Sequence, residues 1–500
     1  MSGAPAAPRR VQVLIVGSGA GGAVTAFELA RAGFEVLVLE EGGRHGLEDY
    51  GGTPTEAMKR LYRRRGMTPI LGRTPIGYVE GCCLGGSTEI NSGFWHRAPR
   101  DILLRWKAHY DLCDASEAEL DPHYAWAEQM LGVTRSQPPW GAGTQVFARG
   151  IEAMGWSYEE VARAAPGCRN TNTCAQGCPT GAKQGMSRSL LPQAEAAGAR
   201  VLPRSRVLLL LLRSHGRVEG VVASITGADG VEHVVRIEAD QVFVCAGPTE
   251  TPALLQRSGI RYHVGNTLRI HPYLKVAARF REVIDAEKSV LPLLQVKEFG
   301  PDLSLGGAYF TRGHLAMTLS ENWPAARAEM AHHRHIAQYY VGVRGSGRGS
   351  VRPTMFGPDR TLIRYELSDI DLYNLSVGLA RLSTLLLAGG AEAVHPSVHG
   401  VGAIRSEVEA IRWLDQRLPR SSLGLVTVHA FSSCPMGERR DRCAADSYGR
   451  VYGYRNLRIN DASMLPDSPG VNPQATVMAM ARRNALQYAG EGRGRAGMPA

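Results

Sequence analysis

The chain contains 500 residues, 44% of them hydrophobic, with 57 Lys and Arg against 47 Asp and Glu for a formal net charge of +10. Core volume is not limiting, and the basic excess is spread along the chain, which argues against a nucleic-acid partner; Lys59, Arg60 and Arg63 to Arg65 read as one solvated helix face. No segment approaches the about 20 apolar residues of a bilayer span, and nine cysteines are too sparse for a secreted disulfide scaffold, so a cytoplasmic protein without a membrane span is expected.

The first element is a buried strand, Val11 to Val16, which breaks into Gly17-Ser18-Gly19-Ala20-Gly21-Gly22 and resumes as a helix over Ala23 to Ala30. Gly17 permits the tight turn, Gly19 lets the backbone approach a pyrophosphate, and Gly22 allows close helix-on-strand packing. A second strand, Glu35 to Leu39, ends at Glu40, whose carboxylate can accept hydrogen bonds from both hydroxyls of a ribose. Strand, turn, helix and acid together predict a dinucleotide site. Arg9-Arg10 precedes this strand, but a cleavable signal cannot include the binding strand itself.

An irregular region containing Gly and Pro extends to about Arg100, and helical periodicity returns over Pro122 to Leu131. A helix from Leu190 to Ala199 opens a second nucleotide-domain block, followed by strands Val207 to Leu212, Val218 to Ile225 and Gln241 to Ala246. The last is apolar on both faces and so reads as a parallel, buried strand that ends in a ligand-side turn, Gly247 to Pro252. From about Ile260 to Asp369, alternating strands with turns at Gly347–Gly349 and Gly357–Asp359 predict an antiparallel sheet. A helix, Leu372 to Ala388, closes that module, a buried strand returns at Leu457 to Asp461, and the Gly/Arg-rich tail after Gly490 is expected to be disordered. The fold class is α/β, α+β overall. A Rossmann-like domain is assembled from 1–259, with an entrance cap over about 43–185, and from 426–489; an antiparallel-sheet substrate domain over 260–425 is inserted between them.

Further motifs follow in order: Gly81-Cys-Cys-Leu-Gly-Gly-Ser-Thr-Glu-Ile-Asn91, Val244 to Leu255, His429-Ala-Phe-Ser-Ser-Cys-Pro-Met-Gly437, Gly449 to Gly453, Asn460-Asp-Ala-Ser463 and Gly470-Val-Asn-Pro-Gln-Ala-Thr476. With the glycine turn and Glu40, they resemble the glucose-methanol-choline (GMC) flavoprotein oxidoreductases from Val11 to about Tyr488. The resemblance implies non-covalent FAD held by Gly17, Ser18, Gly19, Ala20, Gly22 and Glu40, by Gly86, Ser87 and Asn91, and by Val207, Ala246 and Gly247. It places Asp461 and Ala462 at the ribityl-phosphate side of the flavin and Asn472, Pro473 and Thr476 at the ring. An N-cap of the helix starting near Pro473 is the other reading of Asp461, and His96 is the alternative point of covalent attachment.

Alcohol oxidation needs a base for the hydroxyl proton and an acceptor for the hydride; a neutral imidazole suits the first task, and flavin N5 supplies the second. By its position before Cys434-Pro-Met-Gly437, His429 matches the family's catalytic histidine. Asn472 stands where many members carry a second histidine, and its amide can orient the substrate oxygen. His271 reads as structural.

The cysteines at 168, 174 and 178 lack the usual metal-ligand spacing; no metal is expected, and the Cys178-Pro-Thr-Gly-Ala-Lys-Gln184 loop resembles a branch that includes long-chain alcohol oxidases and bacterial sugar or polyol dehydrogenases. A folded loop at the substrate entrance, with reduced thiols or one disulfide, is expected there. The expected reaction is oxidation of an alcohol to a carbonyl, with oxygen, a quinone or a carrier protein as electron acceptor. Aromatic residues recurring between Leu291 and Tyr365 favour an apolar or aryl alcohol, with a sugar, polyol or aminocyclitol hydroxyl as the alternative. Other readings are a non-oxidative flavoprotein of the same family, a hydroxynitrile lyase or photodecarboxylase, and a metal or redox module on the cysteine cluster.

Overall fold

The computed structural model describes residues 8–135, 140–354 and 361–496, with only the helical backbone described over 492–496. Two sheets organise the chain. The first has seven strands in the order Arg200–Leu202, Val36–Leu39, Arg10–Val16, Glu232–Val244, Arg217–Thr226 and Ser205–Arg213, with Leu457–Ile459 also pairing Glu232–Val244. Its central strands are parallel, and the register sets Val16 beside Leu39 and Val244. That alignment brings the glycine turn after Val16, Glu40 after Leu39 and the Gly247 turn to one edge, the carboxyl end where doubly wound sheets bind nucleotides. The run expected at Gln241 to Ala246 is the inner end of the 13-residue strand Glu232–Val244. Exposed positions recur along its outer part, which pairs antiparallel, and its last four residues are all buried where parallel neighbours flank it.

The second sheet has nine strands and runs Thr68–Ile70, Ile76–Tyr78, Leu425–Thr427, Tyr273–Phe280, Ile336–Val343, Leu303–Gly307, Leu294–Val296 and Tyr158–Glu160, with Ala391–Pro396 also pairing Tyr273–Phe280. It is antiparallel except where Leu425–Thr427 meets Ile76–Tyr78. Three of its strands come from the segment read as an irregular entrance cap, so 43–185 helps build the substrate sheet. The same segment carries the helix Pro54–Leu61, whose Thr53 and Glu56 form a reciprocal capping box. Arg348–Pro353 and Thr361–Glu366 form a separate ribbon, so Gly347–Gly349 leads into a strand. The expected turn at Gly357–Asp359 lies outside the described residues.

The helix Asp369–Ala388 is capped by Ser368 and Asp371 and backs the second sheet. By length and composition it could cross a membrane, contrary to the sequence expectation, yet 67% of its apolar window is buried, with Leu375, Leu379 and Leu382 fully enclosed in the substrate-domain core. The last helix, Gln474–Ala496, continues through most of the tail expected to be disordered.

Candidate active site

A cavity of about 830 Å³ is lined from both sheets. From the nucleotide side come Gly17, Ser18, Gly19, Ala20, Glu40, Gly86, Ser87, Asn91, Val207, Ala246, Gly247, Asp461 and Ala462; Asn472, Pro473 and His429 line it as well, with Tyr273 and Lys275 from the substrate sheet. Backbone contacts make this shape. A Cβ on Gly21 would lie 1.9 Å from the Asn460 carbonyl oxygen, and one on Gly22 would lie 2.0 Å from that of Gly17. Gly19, by contrast, has nothing within 4 Å of its missing Cβ. It caps the helix Ala20–Arg31, whose first turn carries no acidic residue. An open glycine at an uncharged helix N-terminus fits a pyrophosphate, so the residues present suit FAD.

Glu40, expected to meet the ribose hydroxyls, is also tied to the glycine turn. Its carboxylate accepts hydrogen bonds from the Ser18 amide at 3.0 Å, the Ser18 hydroxyl at 2.6 Å and the Gly42 amide at 2.8 Å. Ser18 Oγ in turn accepts from the Gly85 amide at 2.9 Å, which links the glycine turn to the loop holding Gly86, Ser87 and Asn91. Burial pushes the Glu40 pKa up against these hydrogen bonds. Asp461 accepts from the amides of Gly247 and Ser463 and from the Thr251 hydroxyl, and it caps the short helix Ala462–Met464, not the one beginning at Gln474.

Two expected cofactor contacts stand outside the cavity. Thr476 is fully buried with its hydroxyl 3.1 Å from Tyr124 Oη, because the first turn of Gln474–Ala496 points it into the helix packing. Gly22 serves the helix-on-strand contact described above. His96 also lies off the lining, with Nε2 3.2 Å from Glu159.

His429 follows the strand Leu425–Thr427, and its main-chain amide donates to Thr427 Oγ1 at 3.2 Å. Its Nε2 lies 3.1 Å from Asn472 Nδ2, and its Nδ1 lies 2.9 Å from Tyr273 Oη and 3.1 Å from His271 Nδ1. His271 Nε2 reaches Ser468 Oγ at 2.8 Å. With the Asn472 amide donating to Nε2, the His429 proton sits on Nδ1 and points to Tyr273 and His271, and the His271 proton sits on Nε2 and points to Ser468. In that assignment the single lone pair of His429 Nε2 accepts from the Asn472 amide, and a substrate hydroxyl entering the cavity would take over that contact. Burial, then the positive fields of His96 and Lys275, push His429 down to about 3, and burial holds His271 far below the ordinary histidine range. Both rings are neutral at pH 7.

Sequence reasoning treated His271 as structural and did not find Tyr273 or Lys275. The available signal was the period of two in Tyr273–Phe280, which puts Tyr273 and Lys275 on one face. Of the apolar residues between Leu291 and Tyr365, Tyr309, Met317 and Tyr340 line the cavity, whereas Leu303, Leu305, Phe310 and Tyr339 belong to the core and Phe299 packs against it. Arg63, read as part of a solvated face, is instead paired with Glu41 at 3.0 Å and with Glu80. All nine cysteines are free. The Arg163 guanidinium stands between the sulfurs of Cys168 and Cys174, at 3.5 and 3.3 Å, and buried Lys183 fastens the loop by donating to the carbonyls of Glu89, Asn91 and Cys174.

Comparison with known proteins places this geometry in a family. The GMC oxidoreductase N-terminal model matches residues 13–273 and the C-terminal model residues 347–481. An uncharacterized GMC-type oxidoreductase of Sinorhizobium fredii is 41% identical over 94% of this chain and 93% of its own length. A long-chain-alcohol oxidase of Arabidopsis thaliana is 27% identical, covering 94% of this chain and 66% of that protein. Among solved structures, pyridoxine 4-oxidase from Mesorbium loti superposes with a TM-score of 0.72 at 19% identity, over 96% of this chain and 99% of that one.

Proposed function

The chain belongs to the GMC oxidoreductases, an FAD-binding family, and from that premise we propose that it oxidises an alcohol to a carbonyl with His429 as the group that takes the hydroxyl proton. The observation that carries this reading is that His429 and Asn472 line the cavity together, with His429 Nε2 3.1 Å from Asn472 Nδ2. FAD, when bound, supplies the hydride acceptor. Asn472 presents a second polar group beside Nε2, so a hydroxyl seated between them is oriented as well as deprotonated. His271, Tyr273 and Ser468 fix the ring and its tautomer from behind.

Non-covalent attachment is part of the proposal. His96 faces Glu159 and not the cavity, which supports it. Acid precipitation should release all yellow colour into the supernatant; colour retained in the pellet would overturn this point.

The alcohol assignment is tested by anaerobic mixing of the FAD-replete enzyme with a panel of alcohols. Bleaching of the visible flavin band by at least one alcohol is the expected result, and re-oxidation by air or an added quinone then identifies the acceptor class. A flavin that no alcohol bleaches would favour the non-oxidative chemistries of the same family.

A further inference from the structure

The substrate side of the cavity holds a cation that proton removal by His429 leaves unused. Lys275 lies two residues from Tyr273 on the same strand face, and its side chain lines the cavity. The ammonium stands 5.8 Å from the Tyr273 ring centre and 5.7 Å from that of Tyr340; these faces stabilise a cation but supply no counter-charge. Among the described residues no carboxylate forms an ion pair with it and no oxygen accepts its hydrogen bonds, and burial alone pushes its pKa down to about 8.

No anion of the neighbouring lining pairs with Lys275. His314 is pushed down to about 4 by burial and by Lys275 itself, so it is neutral. The Gln338 amide nitrogen already donates to the His314 carbonyl and Thr318 Oγ1. Glu321 lines the same cavity with its Oε1 against Gly424, and no ion pair joins it to Lys275. A partly buried ammonium facing a cavity without a counter-charge is best matched by a ligand that brings the opposite charge.

We propose that Lys275 anchors an oxyanion on the substrate, a carboxylate or phosphate carried by the alcohol away from the carbinol that meets His429. This rests on the alcohol-oxidation reading and narrows its substrate class. The same contact bears on the chemistry, because the ammonium opposes protonation of His429. An oxyanion paired with Lys275 cancels that field and makes the imidazole a better proton acceptor when the correct substrate is present.

The test uses the oxidised FAD holoenzyme with benzoate, phenyl phosphate and neutral benzamide, and binding is followed by calorimetry. K275M should weaken the preferred oxyanion by roughly tenfold to a hundredfold, leave benzamide unchanged and keep its FAD, whereas K275R should retain oxyanion binding. Preference for benzoate or for phenyl phosphate identifies the class of anion. Equal oxyanion binding by wild type and K275M, no binding by wild type, or binding seen only after Glu321→Gln would each overturn the proposal, the last because Glu321 would then already balance the charge. In anaerobic reduction, 4-(hydroxymethyl)benzoate should outpace 4-methylbenzyl alcohol in the wild type and lose that advantage in K275M; equal rates in the wild type would overturn the assignment for substrates. Oxyanion binding that depends on Lys275, without flavin reduction by these two or by any alcohol of the panel, would support the anchor and overturn the alcohol reading instead.

Discussion

The two sides of the cavity are built by opposite means. On the nucleotide side the wall is backbone against backbone, with Gly21 on Asn460 and, behind the lining, Gly22 on Gly17, and its polar groups are already bonded to one another through Glu40, Ser18 and Gly85. On the substrate side the wall is made of side chains, Tyr273, Lys275 and Tyr340, that line the cavity. The first wall tolerates no added atom at Gly21, so substitutions there act on assembly and cofactor binding. The second tolerates exchange of side chains, so substitutions there act on chemistry and substrate choice.

Gly21→Ala puts this contrast to its hardest test. The new methyl meets a main-chain carbonyl that cannot rotate away, so a loss of ~3 kcal/mol or more is expected. Flavin content and melting temperature should both collapse. Normal flavination of this variant would break the comparison.

His429→Ala tests the other wall. Flavin reduction by alcohol should slow by roughly a hundredfold or more, the range for loss of a general base, while FAD remains bound. Loss of FAD instead would show that the substrate wall also carries assembly. Glu40→Ala should weaken FAD by roughly tenfold to a hundredfold, equivalent to losing a charged hydrogen bond. Titration of the apoprotein measures it, and unchanged affinity would remove both the expected ribose contact and the importance of the Ser18 link. Asn472→Ala should slow reduction by about tenfold, the scale of one lost positioning hydrogen bond, without introducing a new pH limb.

The smallest expected effect is on the pH dependence of reduction. Since His429 is pushed down to about 3, it stays unprotonated across the neutral range, and the reduction rate should not fall from its titration between about pH 8 and about pH 5. The same depression has a stability consequence with the opposite emphasis. His429, His314 and His123 have folded-state pKa values of about 3, 4 and 4, below the ordinary 6.5. Their neutral burial contributes stability that is fully present above pH 6.5 and is lost as pH falls toward those values, so the melting temperature should decline on acidification through that window. An acid limb in reduction near pH 6 would instead place the His429 pKa close to its solution value.

What the sequence determined by itself follows from local rules. The strand, glycine turn and helix at Val11 to Ala30, the acid at Glu40 and the ordered C-terminal motifs each depend on neighbours a few residues away, so most residues on the nucleotide side of the cavity, and His429 and Asn472, could be named before any contact was known. Tertiary structure alone decided which of several plausible side chains face the cavity. Tyr339 and Tyr340 are adjacent in sequence, yet one fills the core and the other lines the site, because a strand alternates its faces and only the packing of the sheet says which face is open. Pairing across the chain likewise set His271 behind His429, placed Arg63 between Glu41 and Glu80, and left Lys275 without an acidic partner, since each depends on residues distant in sequence being brought together by the fold.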